Sequence, residues 1–165
     1  MKKKYFLLLL LIITAGLIIN SCKKDTSNPI QTLFTGGKWQ LASVMVFHFV
    51  GNTKISTDTL NDSCKYDQFF TFQKDNTCTY VNFDCLPQPT ASGTWSLTDN
   101  KLFLQSNMVC KDTTAVGSSQ PFSYSSIINL GQFSMVLQTG DIQPNYSLTK
   151  KRTVIQYGFI RQKSQ

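Results

Sequence analysis

Residues 67–83 read DQFFTFQKDNTCTYVNF, and this stretch has the pattern of a β-hairpin. Phe70 and Phe72 are two positions apart, so both side chains point to the same face of an extended strand. The polar sequence KDNT then predicts a tight turn, because asparagine adopts the left-handed backbone that such turns require. A second strand follows, and we expect its Val81 and Phe83 to face the two phenylalanines across a buried interior.

Strand patterns of the same kind recur along the chain and predict an all-β domain. In the first of them, GGKWQLASVMVFHFV, alternate residues are apolar, and we expect them to point inward. These inward residues are Trp39, Leu41, Met45, Phe47 and Phe49. The eight predicted strands cover residues 36–50, 67–73, 77–83, 93–97, 102–105, 122–130, 133–138 and 153–161. The sequence TKISTDTL at residues 53–60 leaves a further short strand open.

The lengths of the connections indicate how the eight strands are arranged. The connections after the second, fourth and sixth predicted strands are tight, whereas the others are long. In an up-and-down arrangement, alternate connections lie at opposite ends of the sheet. We therefore predict an all-β fold, an eight-stranded antiparallel up-and-down β-barrel. Its base is closed where the tight turns lie, and its open end is surrounded by long loops.

The composition agrees with this fold class and excludes one class of partner. The chain contains no glutamate, which favours helices, and it has 12% aromatic residues, which favour strands. Its formal net charge of +7 falls to +4 without the three lysines at residues 2–4. The basic residues are scattered apart from Lys150-Lys151-Arg152, so we predict no nucleic-acid partner.

The N-terminus has the pattern of a secretory signal peptide. Three lysines precede an apolar run from Tyr5 to Ile19, which is shorter than the roughly 20 residues that span a bilayer. Asn20-Ser21-Cys22 follow this run. A small residue directly before a cysteine resembles the lipobox of bacterial lipoproteins, in which the cysteine is acylated. The alternatives are a short membrane anchor and a plain signal peptide with an incidental cysteine. Asn20 departs from the usual lipobox pattern.

The lipobox resemblance implies a division of the chain into a lipoprotein signal peptide at residues 1–21, a lipid-anchored flexible tether at 22–34 and a barrel domain at 35–165. The acyl chains on Cys22 would attach the protein stably to a membrane. The tract Lys23-Lys24-Asp25 resembles the charged residues that follow the acylated cysteine in lipoproteins exported to the cell surface. We therefore expect a lipid-anchored protein of the bacterial outer membrane, with exposure at the cell surface as the finer expectation.

Several short motifs, in their order along residues 34–163, resemble the lipocalin family. Gly37-Lys38-Trp39 in the first strand is similar to the Gly-x-Trp motif of lipocalins, and Arg161 is similar to the arginine that packs over that tryptophan. The order CKYDQFFTFQKDNTCTYVNFDC followed by SGTWSL resembles the small bacterial lipocalin-like lipoproteins. The resemblance implies a cation–ring contact between Arg161 and Trp39, and a small apolar ligand in the barrel. The chain departs from the family by lacking a Thr-Asp-Tyr motif and a C-terminal cysteine.

Four cysteines remain besides Cys22, and an even number in an exported protein suggests disulfide bonds. Cys64 and Cys85 both lie near the open end, and their bridge is the pairing we favour. Cys78 then remains for Cys110, although Cys78 adjoins a turn of the base and Cys110 lies toward the open end. The alternative pairs Cys110 with Cys64 or Cys85 and leaves Cys78 free.

The sequence contains no motif of catalytic chemistry. His48 is the only histidine and lies among apolar residues, which favours a structural role. No Cys-x-x-Cys pair, nucleophile elbow or phosphate loop occurs. Asp84 and Asp112 lie near the open end, where they could form a carboxylate pair, but solvated loop acids are the ordinary explanation. We therefore predict no metal, no cofactor and no enzymatic activity.

Two function classes remain for this chain, which we expect to be a monomer. The first is the binding of a small hydrophobic ligand inside the barrel. The second is a cell-surface interaction module, in which side chains fill the barrel and rim loops such as residues 111–121 bind a protein or a glycan. The predicted ligand contacts are aromatic residues with inward or rim positions: Trp39, Phe47, Phe70, Phe72, Phe83, Trp95 and Phe103.

The lipid anchor yields a direct prediction. Bacteria that produce the full chain should incorporate labelled palmitate into it, because a lipobox cysteine is acylated. The Cys22→Ala variant should take up no label, whereas Ser21→Ala, which keeps a small residue before the cysteine, should be labelled like the unaltered chain. Electrophoresis of labelled cells measures both, and label that persists in Cys22→Ala contradicts the anchor.

Overall fold

Eight antiparallel strands close into a barrel in the computed structural model, which describes residues 28–60 and 63–162. The elements are helix α1 (Pro29–Phe34), strands β1 (Lys38–Val50), β2 (Thr53–Leu60), β3 (Phe69–Phe72), β4 (Thr77–Val81), β5 (Ala91–Leu97), β6 (Phe103–Ser106), β7 (Cys110–Lys111), β8 (Ser118–Ser119), β9 (Ser125–Leu130), β10 (Ser134–Gly140) and β11 (Lys151–Arg161), and a 3-10 turn at Phe83–Cys85. The barrel follows the order β1-β3-β4-β5-β6-β9-β10-β11, and the pairing of β11 with β1 closes it. The predicted eight-stranded up-and-down barrel, lipocalin-like in architecture, is confirmed.

Three strands lie outside the barrel wall. β2 pairs with the second half of β1, and all of its residues are exposed. β7 and β8 form a separate hairpin in the connection between β6 and β9. The short strand that the sequence left open at residues 53–60 is therefore present. The predicted signal peptide at residues 1–21 and the lipidation site Cys22 lie outside the described residues.

The tight turns lie together at the base of the barrel, as the connection lengths predicted. They join β3 to β4, β5 to β6, and β9 to β10. Asn76 and Lys101 have φ angles of 66° and 60°, the left-handed conformation that lets two strands reverse within a few residues. The Asp75 carboxylate accepts hydrogen bonds from the Thr77 backbone (3.0 Å) and hydroxyl (2.7 Å), which fixes the first of these turns.

Helix α1 covers the base. Asn28 caps its N-terminus through a side-chain hydrogen bond of 3.1 Å. Phe34 at the other end of the helix is fully buried, with its ring centre 4.9 Å from that of Phe72 and 5.5 Å from that of Trp95. The tether predicted at residues 22–34 is therefore too long. Its last six residues belong to the folded domain, because they cover apolar side chains at the end of the barrel.

Trp39 joins this helix to the closing seam between β1 and β11. Its indole Nε1 donates a hydrogen bond of 2.9 Å to the Phe34 carbonyl, and the Arg161 guanidinium lies 4.5 Å from its ring centre. Arg161 also donates a hydrogen bond to the Leu33 carbonyl. A side chain at Gly36 would come within 2.7 Å of the guanidinium, so this glycine gives the arginine its space. The cation–ring contact implied by the lipocalin resemblance is confirmed.

Aromatic side chains fill the interior near the base. The ring of Phe70 lies 4.1 Å from that of Phe72 and 4.8 Å from that of Phe122, centre to centre. Such rings bury large apolar areas and pack with defined geometry. The buried apolar core consists of Phe34, Trp39, Val44, Phe70, Phe72, Cys78, Tyr80, Phe83, Trp95, Leu104, Met108, Cys110, Phe122, Met135, Leu137, Tyr157 and Phe159.

The structure corrects which side chains of β1 point inward. A β-bulge at Ala42 inserts one residue into the pairing with β11, and this inverts the alternation that follows. Val44 is consequently buried, at 5% exposed, whereas Met45, Phe47 and Phe49 lie on the opposite face. The prediction that these three residues point inward is wrong.

The inward face of β4 also differs from the prediction. Cys78 and Tyr80 point inward and lie opposite the two phenylalanines of β3, so Val81 does not face them. Phe83 still reaches the interior, at 7% exposed, because the chain leaves the strand after Val81. Asn82, between Val81 and Phe83, has a φ of 56° and turns the backbone.

Helix α1 should contribute measurably to the stability of the domain. Phe34→Ala should lower the free energy of unfolding by about 3–5 kcal/mol, because it removes a fully buried ring. Phe133→Ala is the matched control, since Phe133 is 67% exposed in the turn between β9 and β10, and its effect should stay below about 0.5 kcal/mol. Chemical denaturation of residues 22–165 carrying Cys22→Ser, called the soluble variant below, measures both. Equal effects would show that residues 29–34 are only a tether.

Candidate functional site

A cavity of about 570 Å³ lies at the open end of the barrel. Its walls come from several strands and from the long connections at the end opposite the tight turns. They include β1, the 3-10 turn, the connection around β7 and β8, and the adjacent ends of β10 and β11. The interior of the barrel is therefore divided between a packed base and a cavity at the open end.

One wall of the cavity is apolar. Leu41 and Val44 contribute from β1, Leu60 from β2, Phe83 from the 3-10 turn and Ile155 from β11. The bulge in β1 is what brings Val44 to this wall. An apolar surface that faces a cavity is available to exclude water against a hydrocarbon group of a ligand.

The rest of the lining forms a mainly polar wall, and several of its side chains are buried by the fold. Gln68, Thr139, Tyr157 and Asp112 are only 4%, 4%, 6% and 9% exposed, yet all line the cavity. Buried polar groups need hydrogen-bond partners, and here the Tyr80 hydroxyl donates to the Gln68 side-chain oxygen at 3.3 Å. This wall offers hydrogen-bonding groups to whatever occupies the cavity.

Asp84 and Asp112 place two carboxylates on the polar wall. Asp84 Oδ2 accepts hydrogen bonds from the Thr113 backbone (2.7 Å) and hydroxyl (2.6 Å). Asp112 Oδ1 accepts them from the Thr114 backbone (3.1 Å) and hydroxyl (2.6 Å). Hydrogen bonds from Ser119 and Thr114 lower the pKa of Asp112, so this carboxyl is ionised at neutral pH. Asp112 lies near the molecular surface, but the loop covers nine tenths of it, and the interpretation as a solvated loop acid is wrong for this residue.

Tyr157 lines the same cavity as the two carboxylates. Burial raises the pKa of its hydroxyl well above the ordinary value, and the nearby Asp84 adds to that rise. The hydroxyl therefore stays neutral at physiological pH and serves as a hydrogen-bonding group. Its ring centre lies 6.4 Å from that of Phe83, so two aromatic rings adjoin the carboxylates.

A disulfide bond holds the loop that carries Asp84. Cys64 and Cys85 are bonded, with a Cα–Cα distance of 5.6 Å, as the sequence predicted. Cys85 follows Asp84 directly, and Cys64 lies in the connection between β2 and β3. The bond spans 21 residues and restricts the conformations of this part of the rim.

The second predicted bridge, Cys78–Cys110, is absent from the structure. Both residues are buried free thiols. Cys78 points into the barrel, where its Sγ lies 3.3 Å from the Ser106 hydroxyl, a hydrogen-bond contact in place of a disulfide. Burial raises the pKa of Cys110 to about 12, with smaller contributions from Cys78 and Asp112. The Cys110 thiol is therefore protonated and unreactive at neutral pH.

Most of the predicted ligand contacts do not line this cavity. Trp39, Phe70, Phe72 and Trp95 are 0–3% exposed and pack together in the base. Of the predicted contacts, Phe83 is the residue found in the cavity wall.

Phe47 and Phe103 lie outside the core, because the inward-facing positions of their strands are occupied by other residues. The bulge in β1 turns Phe47 outward, where the Lys54 ammonium lies 5.6 Å from its ring centre. On β6 it is Leu104 that is fully buried, and the neighbouring Phe103 stacks on Tyr124 with ring centres 4.7 Å apart. The prediction that these two residues face the barrel interior is wrong.

Sequence reasoning singled out Asp84 and Asp112 near the open end but missed the other buried polar residues of the site. Thr139 continues the inward alternation of Met135 and Leu137 on β10, and Tyr157 lies two positions before the buried Phe159 on β11. Strand alternation could therefore have identified both positions. Gln68 precedes β3, and its burial depends on contacts between distant segments, which the sequence does not display.

Other charged side chains of the described residues do not belong to the cavity wall. His48 and Asp58 form an ion-pair contact of 2.9 Å, and both side chains are well exposed. Arg152 lies 3.8 Å from the Tyr146 ring centre and 4.6 Å from that of Phe49. Among residues 28–60 and 63–162, no three His, Cys, Asp or Glu side chains come together as metal ligands would.

The fold is a closed up-and-down barrel of lipocalin-like architecture with a cavity at one end. The chain belongs to the family described as "Domain of unknown function (DUF5004)", whose profile matches residues 21–149. The match begins beside the predicted lipidation site and extends past β10. No curated protein matches the chain. Within the part of the chain that the structure describes, no helix has the length and apolarity to cross a membrane.

The state of the four cysteines in the soluble variant can be counted. Without reductant, the native protein should show no reactive thiol, because Cys78 and Cys110 are buried. After denaturation two thiols should react, because Cys64 and Cys85 remain bonded. A colorimetric thiol reagent measures both states, and denaturation with reductant supplies the fully reduced control. No thiols after denaturation would establish a second bridge and contradict the structure.

Proposed function

We propose that this protein is a lipid-anchored lipoprotein whose barrel binds one small, largely hydrophobic molecule at its open end. The observation that carries the proposal is the cavity of about 570 Å³ with its apolar wall. Small-molecule sites in proteins typically enclose roughly 300–1,000 Å³ and combine apolar walls with a few polar groups. The cavity has this size and this composition.

The packed base supports the same function. Phe34, Trp39 and Arg161 close one end of the barrel, so that a molecule can enter only from the other. The Cys64–Cys85 bond and the short strands of the rim give the open end a defined shape. A preformed site of this kind loses little conformational entropy on binding.

The alternative function is a filled barrel whose rim loops bind a protein or a glycan. It accounts for the aromatic packing of the base, but it gives no role to the cavity or to the covered polar groups in its wall. Small-ligand binding accounts for both halves of the barrel, and we therefore prefer it.

The proposed location follows from the leader sequence. Acylation of Cys22 would hold the chain at the bacterial outer membrane, with the membrane as its stable partner and the barrel as a monomer beside it. The link from Cys22 to helix α1 is short, because the helix begins at Pro29. This link enters the fold at the base, so the proposed ligand site would lie at the end of the barrel opposite the attachment.

Binding of a neutral amphiphile tests the proposal. Titration of 1-octanol into the ¹⁵N-labelled soluble variant should shift the backbone resonances of residues around the cavity. Ile155→Trp should weaken this binding by roughly tenfold or more, because the indole ring occupies the space beside the apolar wall. Ile160→Trp is the matched control, since it adds the same ring to the same strand at a position that is 48% exposed.

The two variants decide the outcome together. Octanol binding that is lost in Ile155→Trp and retained in Ile160→Trp supports a ligand site inside the barrel. Shifts confined to the outer surface, or equal affinities in the two variants, would contradict the proposal. Far-ultraviolet circular dichroism checks that both variants retain the fold.

A further inference from the structure

The charge of the cavity is opposite to that of the protein. The chain carries a formal net charge of +7, and +4 without the leader lysines, yet the charged groups in the described cavity wall are Asp84 and Asp112. No lysine, arginine or histidine side chain belongs to that described wall. Arg152 contacts the rings of Phe49 and Tyr146 and does not belong to the cavity wall. The cavity is therefore a local negative region in a positive molecule.

Neutral groups bind and orient the two carboxylates but do not neutralise them. The donors to Asp84 and Asp112 are threonine and serine hydroxyls and backbone N–H groups. Hydrogen bonds from Ser119 and Thr114 lower the pKa of Asp112 and favour its ionised form. The contacts of Asp84 use Oδ2 alone, so its Oδ1 remains for another donor.

Two further features belong to the same cavity. Asp112, Thr139 and Tyr157 are each nine tenths or more buried, so the polar wall is built into the fold. The rings of Phe83 and Tyr157 adjoin the carboxylates, and aromatic faces attract cations. The apolar wall adjoins them, because Val44 pairs with Tyr157 across β1 and β11, and Ile155 lies two positions before Tyr157 on β11.

We propose that the ligand is an amphiphilic organic cation, an amine or a quaternary ammonium compound with an attached hydrocarbon group. Its positive charge lies against Asp84 and Asp112, and its hydrocarbon group lies on the apolar wall. The inference rests on the proposed function and specifies the chemical class of its ligand. An inorganic cation would leave the apolar wall unused, so the combination of both walls favours an organic one.

Three probes with the same hydrocarbon chain separate the effect of charge from that of apolar contact. These are octylamine, which is protonated at neutral pH, neutral 1-octanol and anionic octanoate. Isothermal titration of the soluble variant should give roughly tenfold or more tighter binding for octylamine than for octanol, because charge-assisted hydrogen bonds exceed neutral ones. Octanoate should bind most weakly.

Two substitutions locate the charge effect. Asp112→Asn and Asp84→Asn keep the shape of each side chain, and each should reduce the octylamine affinity several-fold while leaving octanol binding unchanged. Asp99→Asn is the matched control, because Asp99 is an exposed residue in the turn between β5 and β6 at the base. It should leave all three affinities unaltered.

The outcomes distinguish the inference from the function on which it rests. If octanol binds in the cavity and octylamine binds no more tightly, the cationic ligand is refuted and the proposed function stands. If neither octanol nor octylamine binds, the proposed function fails as well. If Ca²⁺ alone binds to these carboxylates and displaces octylamine, the site is a metal site and the organic cation is refuted. The ranking of the three probes in the unaltered soluble variant decides the inference even if a substitution prevents folding.

Discussion

The packing of Trp39 at the seam of the barrel determines which end of the barrel is closed. Its indole bonds to the Phe34 carbonyl and its ring contacts the Arg161 guanidinium, so one residue joins the N-terminal helix, the first strand and the last strand. This contact closes the base and gathers the aromatic core there. Since one end is filled, the remaining volume lies at the other end, between the long loops.

The strands and turns could be predicted from the sequence because both depend on residues that are close together in the chain. Alternating apolar residues and the asparagines of the tight turns predicted the eight strands and the closed base. The bulge at Ala42 was not predictable, because it depends on how β1 pairs with β11, and it moved Val44 inward and Phe47 outward. Helix α1 was also missed, because its six residues are too few for a periodic pattern and are stabilised by burial of Phe34.

The candidate site likewise depends on contacts between distant segments, which the sequence does not display. An aromatic residue on a strand was expected to contact a ligand, but Phe70 and Trp95 stabilise the base instead. The cavity is formed by residues from connections, such as Asp84 and Asp112, whose proximity depends on the disulfide and on the hairpin of β7 and β8. The packed half of the barrel stabilises the fold. The open half forms a cavity with an apolar and a polar wall. This division explains how a small domain can combine a full core with a binding site.

The central claim is that the open end is a preformed cavity lined by both an apolar wall and two carboxylates. A crystal structure of the soluble variant with octylamine tests it most directly. The account predicts the nitrogen within roughly 3 Å of a carboxylate oxygen of Asp84 or Asp112, with the hydrocarbon chain along Leu41, Val44 and Ile155. An open end filled by its own side chains, or an amine bound only outside the barrel, would contradict it.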